Sequence, residues 1–343
     1  MKLQILQEKL KEGLSVVERI SLKSLTLPIL NNILISAEKN FINLTTTDLE
    51  IAINWWSLVK IEKEGKITIP SYLISNFINL LPNEKINLEA DNNKLSIQCK
   101  NYKTSIKGIS ADDFPIIPKI TTEEFILIDN FSFCRSLSQI IDIPVISTIR
   151  PEISGIYFSF QKNLIQIAAT DSFRLGEKKI FLKNDNSLKN NYSFILPQKA
   201  AKEIINIFKD KEGELKIYFS SNQVMFESQM TETKHPQIQL ISRLIEGEYP
   251  NYQEIIPKKY NTQIILDKNE FLNQIKSASL FTGKASEVKI KTNNQKENIE
   301  IFSQNQDIGE YRSEISAKIK GDEAEVVFNY KFLLDGILNI KSS

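Results

Sequence analysis

Apolar and polar positions along the chain repeat one pattern three times. Each copy has a short apolar strand that runs directly into a helix with apolar residues at helical spacing. Pro70 and Pro197 stand at two of the strand-to-helix junctions, where a helix tolerates a missing N–H, and Asn329 is a good helix N-cap at the third. The three copies read KITIPSYLISNFINLLP (66–82), YSFILPQKAAKEIINIF (192–208) and AEVVFNYKFLLDGILNI (324–340).

A second set of segments has the same period. Each runs along an apolar strand into a polar corner and out again, and the corner residues Asp48 and Asp171 lie 123 positions apart (171 − 48). Asn305 takes the corner position in the third copy. A helix is also predicted at the start of each copy, and alternating strands follow the second helix in copies one and two. These segments read FINLTTTDLEIAI (41–53), LIQIAATDSFRLGE (164–177) and NIEIFSQNQDIGE (298–310).

The repeats predict an α+β fold of three similar domains, with boundaries at residues 1–120, 121–257 and 258–343. The third copy stops just after its second helix, without the strands that follow this helix in the other two. We interpret domain three as incomplete at its C-terminal end, either truncated or degenerate.

The Thr-Asp corners do not predict catalysis. A two-lobed aspartic protease needs a glycine after each Asp-Thr or Asp-Ser, whereas the chain has Asp48-Leu49 and Asp171-Ser172, and Asn305 in the third copy. No phosphate-binding glycine loop or metal-ligand spacing is present, and the single histidine, His235, is expected in an exposed loop. We therefore expect no enzymatic activity, no catalytic residue, no metal and no cofactor.

Composition adds little to this interpretation. The 343 residues carry 43 basic and 42 acidic side chains, a net charge of +1, which leaves a basic nucleic-acid-binding face possible if an acidic face offsets it. Only two cysteines are present, as is usual in a reducing compartment. The N-terminus has no signal-peptide pattern and no apolar run is long enough to span a membrane. We expect a cytoplasmic protein without a membrane partner.

The corner at residues 170–175 is a candidate binding site. It offers Phe173 and Leu175 beside Arg174, and YPNYQEIIP (249–257) supplies further apolar residues near the start of domain three. An apolar crevice rimmed by one arginine suits an extended peptide with a few apolar anchors. The alternative is that these residues only form a domain junction.

Five segments, taken together and in order, resemble the bacterial DNA polymerase III β subunit, the replicative sliding clamp. The resemblance implies three similar α+β domains per chain, with two chains joined head to tail in a ring. In this family helices line the inner face and antiparallel sheets lie outside. The segments are TLPILNNILIS (26–36), LTTTDLEIAI (44–53), DDFP (112–115), ATDSFRLGEKK (169–179) and YPNYQEIIP (249–257).

The function implied by this resemblance is topological. The ring would encircle double-stranded DNA without reading its sequence and would tether the replicative polymerase, so the protein would be a processivity factor in DNA replication. Tethering makes polymerase rebinding intramolecular. The implied partners are DNA, the DNA polymerase III catalytic subunit, the clamp loader and a second copy of the chain. The alternative is a degenerate clamp-like scaffold that binds partner peptides without being loaded on DNA.

The resemblance also implies three sets of site residues. The partner-peptide cleft would contain Ile153, Thr170, Ser172, Phe173, Arg174, Leu175, Pro250, Ile255 and Phe332. The residues facing DNA would be Lys23, Ser24, Ser147, Arg150, Lys199 and Lys202. The dimer interface would include Ile106, on an edge strand of domain one, and Leu280, in the first half of domain three.

Overall fold

The strand–helix repeats of the sequence fold as alternating strands and helices in two compact units, Met1–Pro250 and Asn251–Ser343. The computed structural model describes residues 1–21, 27–120, 122, 124–182 and 191–342. Repeats one and two lie in the first unit and repeat three forms the second.

Two helices occur in each repeat of the described chain. Their apolar residues recur at helical spacing, and in the second helix of repeat two Ala201, Ile204 and Phe208 are buried as the sequence predicts. The six helices are α1 (Gln7–Val17), α2 (Ser71–Leu80), α3 (Asn130–Ser138), α4 (Gln198–Phe208), α5 (Lys268–Ser279) and α6 (Tyr330–Asn339).

The strands are antiparallel and mostly bury one face. Those of the first unit are β1 (Lys2–Leu6), β2 (Asn32–Glu38), β3 (Phe41–Thr47), β4 (Ile51–Leu58), β5 (Lys60–Lys63), β6 (Gly65–Pro70), β7 (Lys85–Asp91), β8 (Lys94–Cys99), β9 (Tyr102–Lys107), β10 (Phe125–Asp129), β11 (Gly155–Gln161), β12 (Leu164–Thr170), β13 (Leu175–Phe181), β14 (Tyr192–Pro197), β15 (Glu214–Phe219), β16 (Gln223–Gln229) and β17 (Pro236–Arg243). Those of the second unit are β18 (Thr262–Ile265), β19 (Glu287–Asn293), β20 (Asn298–Asn305), β21 (Gly309–Ser316), β22 (Lys318–Gly321) and β23 (Glu325–Asn329).

One sheet joins repeats one and two. It has the order β10-β15-β16-β17-β4-β3-β2-β6, and β17 pairs with β4 from Ile238↔Trp55 to Ser242↔Ile51. The first unit also contains the sheets β5-β1-β7-β8-β9 and β13-β12-β11-β14. Because strands of two repeats share one ladder, these repeats share one continuous core.

The two adjacent tryptophans point to opposite faces of β4, as strand geometry requires. Trp55 is fully buried, and α1 comes so close to it that a Cβ on Gly13 would overlap the indole ring. Trp56 meets the ring of His235 edge-on, and that ring stacks on Phe41 with centroids 4.0 Å apart. His235 lies in the loop before β17, as expected, but it is half-buried at the junction of the two repeats and not exposed.

The second unit has a smaller core, in which α5 and α6 pack on the sheet β21-β20-β19-β23. Its remaining sheet is β18-β22. In repeats one and two, β7 and β15 pair with β1 and β10, but no described strand plays this part for β18. A cavity of about 680 Å³ opens there, with Phe328, Leu333 and Ile337 among its lining residues.

Candidate functional site

The corner at residues 170–175 is a tight hydrogen-bonded turn between β12 and β13. The Thr170 hydroxyl donates to the Arg174 carbonyl at 2.8 Å and accepts from the Ser172 N–H at 3.1 Å. The Asp171 N–H donates to the Arg174 carbonyl at 3.4 Å, and this bond closes the turn. The Thr170 hydroxyl therefore bridges the two sides of the turn.

The Asp171 carboxylate also has a structural role. It accepts from the N–H groups of Phe173 and Arg174 at 3.0 and 2.9 Å and from Arg174 Nε at 3.0 Å. Arg174 in turn donates from its terminal nitrogen to the Asp142 carbonyl at 3.0 Å. An aspartate that accepts three hydrogen bonds within the turn stabilises that turn rather than holding a nucleophile or a proton.

The absence of glycine in the turn is explained by these bonds. Ser172 adopts a left-handed backbone with φ of 74°, a conformation that costs energy for any residue with a Cβ. The hydrogen bonds of Thr170 and Asp171 fix that conformation. With the backbone held, the Phe173 side chain projects into solvent and is 84% exposed.

Repeat one contains the same turn. Leu49 takes the left-handed position with φ of 76°, and the Thr47 hydroxyl donates to Ile51 at 2.9 Å and accepts from the Leu49 N–H at 3.0 Å. The Asp48 carboxylate accepts from the N–H groups of Glu50 and Ile51. The two corners differ in what they display, because Glu50 stands where the second corner has Phe173.

The remaining cleft residues lie in both units. In the first unit Ile153 is buried, Thr170 and Leu175 are half-buried at the ends of their strands, and Pro250 is half-buried. Ile255 is exposed and Phe332 is half-buried in the second unit. The grouping of these two residues with the 170–175 corner in one cleft stays a prediction.

Sequence reasoning missed an apolar loop beside this corner. The loop at residues 142–150 is held by Asp142, which accepts from Arg174, and by Gln198, which donates to the carbonyl groups of Ile141 and Pro144 at 2.7 and 3.2 Å. Its side chains Val145, Ile146 and Ile149 are exposed, the last at 90%. The signal was present in the string DIPVISTIRP, whose apolar residues fit neither a helical nor a strand period.

The predicted DNA-facing cations mostly have carboxylate partners within the chain. Lys199 pairs with Asp48, whose side chain is 1% exposed, and Lys202 lies 3.9 Å from Asp142. Arg150 Nε donates to Glu152 at 3.1 Å. The Glu152 pKa is lowered, first by its own backbone N–H and then by this contact.

The remaining DNA-facing residues and the two predicted interface residues differ in accessibility. The Ser147 hydroxyl accepts from the Arg150 N–H at 3.1 Å, so it orders the loop, while Lys23 and Ser24 lie outside the described residues. Ile106 is only 4% exposed, so its side chain belongs to the core of repeat one, and a partner can reach the backbone edge and the exposed side chains of β9 instead. Leu280 is exposed beyond the end of α5.

Metal-binding and membrane-spanning features were also sought in the described residues. They contain no group of three or more His, Cys, Asp or Glu side chains placed to hold a metal ion. None of the helices in the described ranges is long and apolar enough to cross a bilayer.

Family models match almost the whole chain. They are those of the DNA polymerase III beta subunit: its N-terminal domain at residues 1–118, its central domain at 137–251 and its C-terminal domain at 253–343. The order of the three matches is that of the three repeats.

Similar proteins and structures agree with these matches. The beta sliding clamps of Staphylococcus epidermidis and Staphylococcus aureus are each 28% identical over 322 residues, which cover 91% of this chain and 83% of the relative. The DNA polymerase sliding clamp of Bacillus subtilis superimposes with a TM-score of 0.92 at 27% identity, covering 100% of this chain and 90% of that structure. The beta subunit of Pseudomonas aeruginosa gives a TM-score of 0.92 at 20% identity, with 100% and 91% covered, and this likeness shows the fold.

The three matched domains, in the order of the internal repeats and with the fold of solved clamps, show that the chain belongs to the DNA polymerase III beta subunit family, the bacterial sliding clamps.

Proposed function

We propose that this chain works as a DNA sliding clamp: two copies close into a ring around double-stranded DNA and tether the polymerase through a peptide cleft. The observation that carries the proposal is the match of all three repeats to the three domains of the family. The protein acts by topology, not by catalysis. The DNA polymerase III catalytic subunit and the clamp loader are its proposed partners, and the cytoplasm is its proposed location.

The junction between repeats one and two suggests how a second copy closes the ring. At that junction the last strand of one repeat, β17, pairs with β4, the strand that follows the Thr-Asp corner of the other. The equivalent strands are β9 in repeat one and β21 in repeat three, and each is an edge of its sheet among the described strands. We infer that β9 of one copy pairs antiparallel with β21 of the other.

The charges on these two edges are complementary. Lys103 and Lys107 are exposed on one face of β9, and Glu310 and Glu314 are exposed on one face of β21. Each pair is four residues apart, so in an antiparallel ladder patterned on β17–β4 each lysine lies opposite or diagonal to a glutamate. Arg312, between the glutamates, has its own partner in Glu300 at 3.5 Å.

DNA contact in this proposal is weak and independent of sequence. The candidate cations Lys199, Lys202 and Arg150 already have carboxylate neighbours, which a phosphate must displace. Each cation therefore neutralises less phosphate charge than an unpaired lysine does. A closed ring accommodates weak contacts because its retention depends on closure and not on affinity.

The peptide cleft is proposed around the 170–175 corner. Phe173 and the side chains of Val145, Ile146 and Ile149 offer an exposed apolar surface held by a rigid turn. Such a surface suits an extended peptide with apolar anchors. Arg174 is fixed by Asp171 and Asp142, so it positions the loop beside the corner.

The test is retention on DNA of different topology. The protein is loaded by a clamp loader onto nicked circular DNA, separated from free protein by gel filtration, and the DNA is then linearised. We expect retention on the circle at raised salt and rapid loss from the linear form. Equal, salt-sensitive binding to both forms would contradict the ring. Peptide binding without any loading would favour the scaffold alternative.

A further inference from the structure

A pocket in repeat one lies where β4 ends and β5 begins, beside the first residues of α1. Its volume is about 380 Å³, room for one or two aliphatic side chains. All of its lining residues belong to the first unit and are distant in sequence from the 170–175 corner. They are Gln4, Ile5, Leu6, Lys9, Leu58, Val59, Lys60 and Lys85.

The floor of this pocket is apolar and reaches solvent. Leu6 and Leu58 are 49% and 45% exposed, and Ile5, which also lines the pocket, is buried. Two half-exposed leucines at one site leave apolar area that a partner side chain can cover. The wall is fixed, because Gln4 donates to Asn87 at 3.0 Å.

The charged residues that line the pocket are all lysines. Lys60 of β5 lies opposite Gln4 of β1, and Lys85 of β7 lies opposite Leu6 of β1. Both lysines are exposed. Lys9 of α1 completes the rim, 3.7 Å from Glu12. No carboxylate is among the lining residues of the pocket. Three ammonium groups around an apolar floor attract carboxylates flanking an apolar side chain.

Comparison of the three repeats shows that this site is peculiar to the first. The helices equivalent to α1 are α3 and α5, and each is N-capped by an aspartate, Asp129 and Asp267, that accepts a backbone N–H at 2.8 Å. Repeat one has Leu6 at this position, with no side-chain cap. Aspartate is a preferred cap and leucine is not, so local helix stability does not explain Leu6.

The residue paired with this position across the sheet also changes from acidic to basic between repeats two and one. Leu6 pairs with Lys85 across the sheet, whereas the equivalent Asp129 pairs with Glu214. Repeat two therefore has two carboxylates where repeat one has a leucine and a lysine. Both differences turn an acidic, capped position into an apolar, basic one. A departure from the local rule that produces a coherent binding chemistry points to function.

We propose that this pocket binds an acidic segment of a partner protein. An aliphatic side chain of the segment fills the space over Leu6 and Leu58, and flanking carboxylates lie on Lys60 and Lys85. The site is additional to the 170–175 corner and does not depend on ring closure or on DNA.

The test measures binding of a labelled probe peptide to the full chain. The probe is acetyl-Asp-Glu-Leu-Glu-Leu-Asp-amide with a fluorophore, read by fluorescence anisotropy. We expect binding that weakens with salt. A probe with serine in place of both leucines, or lysine in place of the acids, is expected to bind about tenfold or more weakly.

Three variants test the site. Leu6→Asp supplies the aspartate of the other repeats, so it keeps the fold while removing the apolar contact and adding repulsion. Lys60→Glu with Lys85→Glu reverses the rim. Each is expected to weaken probe binding about tenfold or more. Lys39→Glu is the matched control, an exposed lysine outside the pocket, and is expected to leave binding unchanged.

Two results would overturn the proposal. One is a probe affinity that is undetectable at millimolar peptide or is the same in Leu6→Asp as in the unaltered chain. The other is a short DNA duplex that binds more tightly than the probe and loses affinity in the double lysine variant, which would assign the lysines to phosphate. Thermal unfolding of every variant separates lost binding from lost fold.

Discussion

Single side chains explain the polar corners that the repeats share. The side chains of Thr170 and Asp171 form hydrogen bonds within the turn, and Ser172 adopts the left-handed backbone conformation. Thr47, Asp48 and Leu49 repeat the arrangement. The shared turn is a structural device that displays the residue after the left-handed position, so the two corners differ in surface chemistry while having one backbone.

Replacing Asp171 tests this role. Asp171→Ala removes the acceptor of three hydrogen bonds and is expected to lower the free energy of unfolding of the first unit by roughly 2 kcal/mol. Asp171→Asn keeps an oxygen for the backbone N–H groups and should cost about half as much. Urea unfolding measures both.

The exposed Asp307, at the corner of repeat three, is the control. Its N–H donates to Asn305, and its own carboxylate has no part in that bond. Asp307→Ala should change stability by less than about 0.5 kcal/mol. Equal stability of Asp171→Ala and the unaltered chain would show that the turn does not need its carboxylate.

Burial determines the chemistry of Cys134. Desolvation, followed by the Asp129 and Asp210 carboxylates, raises the pKa of its thiol to about 12 from an ordinary value of 9.0. In the folded state the neutral thiol is favoured, so its contribution to stability is fully present below pH 9 and is lost as pH rises from 9 toward 12.

A Cys99→Ser variant leaves Cys134 as the single thiol for a labelling test. Because the thiolate is the reactive form, the native protein at pH 8 should react with a disulfide reagent only after local or global opening. The rate should therefore rise with urea in step with unfolding. One equivalent of fast reaction in native buffer would contradict this.

Among the secondary-structure elements, α1 shows how packing overrides helix propensity. Glycine is a poor helix former, yet Gly13 stands in the middle of α1 because the helix lies directly against Trp55 of β4. Gly336 in α6 has no heavy atom within 4 Å of the position a Cβ would take. Close packing thus explains the glycine in α1 but not the glycine in α6.

Two alanine substitutions are expected to act in opposite directions. Gly13→Ala should destabilise the first unit by roughly 2 kcal/mol, because the added methyl group overlaps a buried ring. Gly336→Ala should stabilise the second unit by roughly 0.5 to 1 kcal/mol through helix propensity. Chemical denaturation followed by circular dichroism measures both, and a stabilising Gly13→Ala would refute the close packing.

For the molecule as a whole, the β17–β4 ladder is the feature with the widest consequence. It merges two repeats into one unit and provides the pattern for the proposed β9–β21 contact between two copies. We propose that Lys103 and Lys107 lie beside Glu310 and Glu314 in that contact. Backbone pairing gives the contact its geometry, and the charges select the partner edge.

Charge reversal tests the proposed contact. Lys103→Glu with Lys107→Glu should weaken homodimerisation roughly tenfold or more, as should Glu310→Lys with Glu314→Lys, because each sets like charges opposite one another. Analytical ultracentrifugation measures the dissociation constants. A chain that carries all four changes should regain the affinity.

Lys39→Glu with Lys66→Glu provides a control at exposed positions outside β9, with the same change in net charge as Lys103→Glu with Lys107→Glu. It should leave the dimer unaffected. A dimer equally insensitive to all of these changes would place the interface on another surface. A monomeric unaltered chain would contradict the proposal that two copies form a ring.

The local features of this protein could be predicted from its sequence. Turn chemistry, strand alternation and helical spacing depend on neighbouring residues, so the repeats and the two corners could be predicted. The fold class and the family followed from the order of those motifs. The boundaries of domain three and the composition of the peptide cleft stay predictions.

Contacts between residues far apart in the chain were decided by the tertiary structure. Lys199 reaches Asp48 across 151 positions, His235 packs between Phe41 and Trp56, and Ile106 turns inward. Leu6 has meaning only beside Lys60 and Lys85, which the sheet brings together. Local patterns fix backbone dihedrals and which face is apolar, but the burial and charge of a side chain depend on what the fold places next to it.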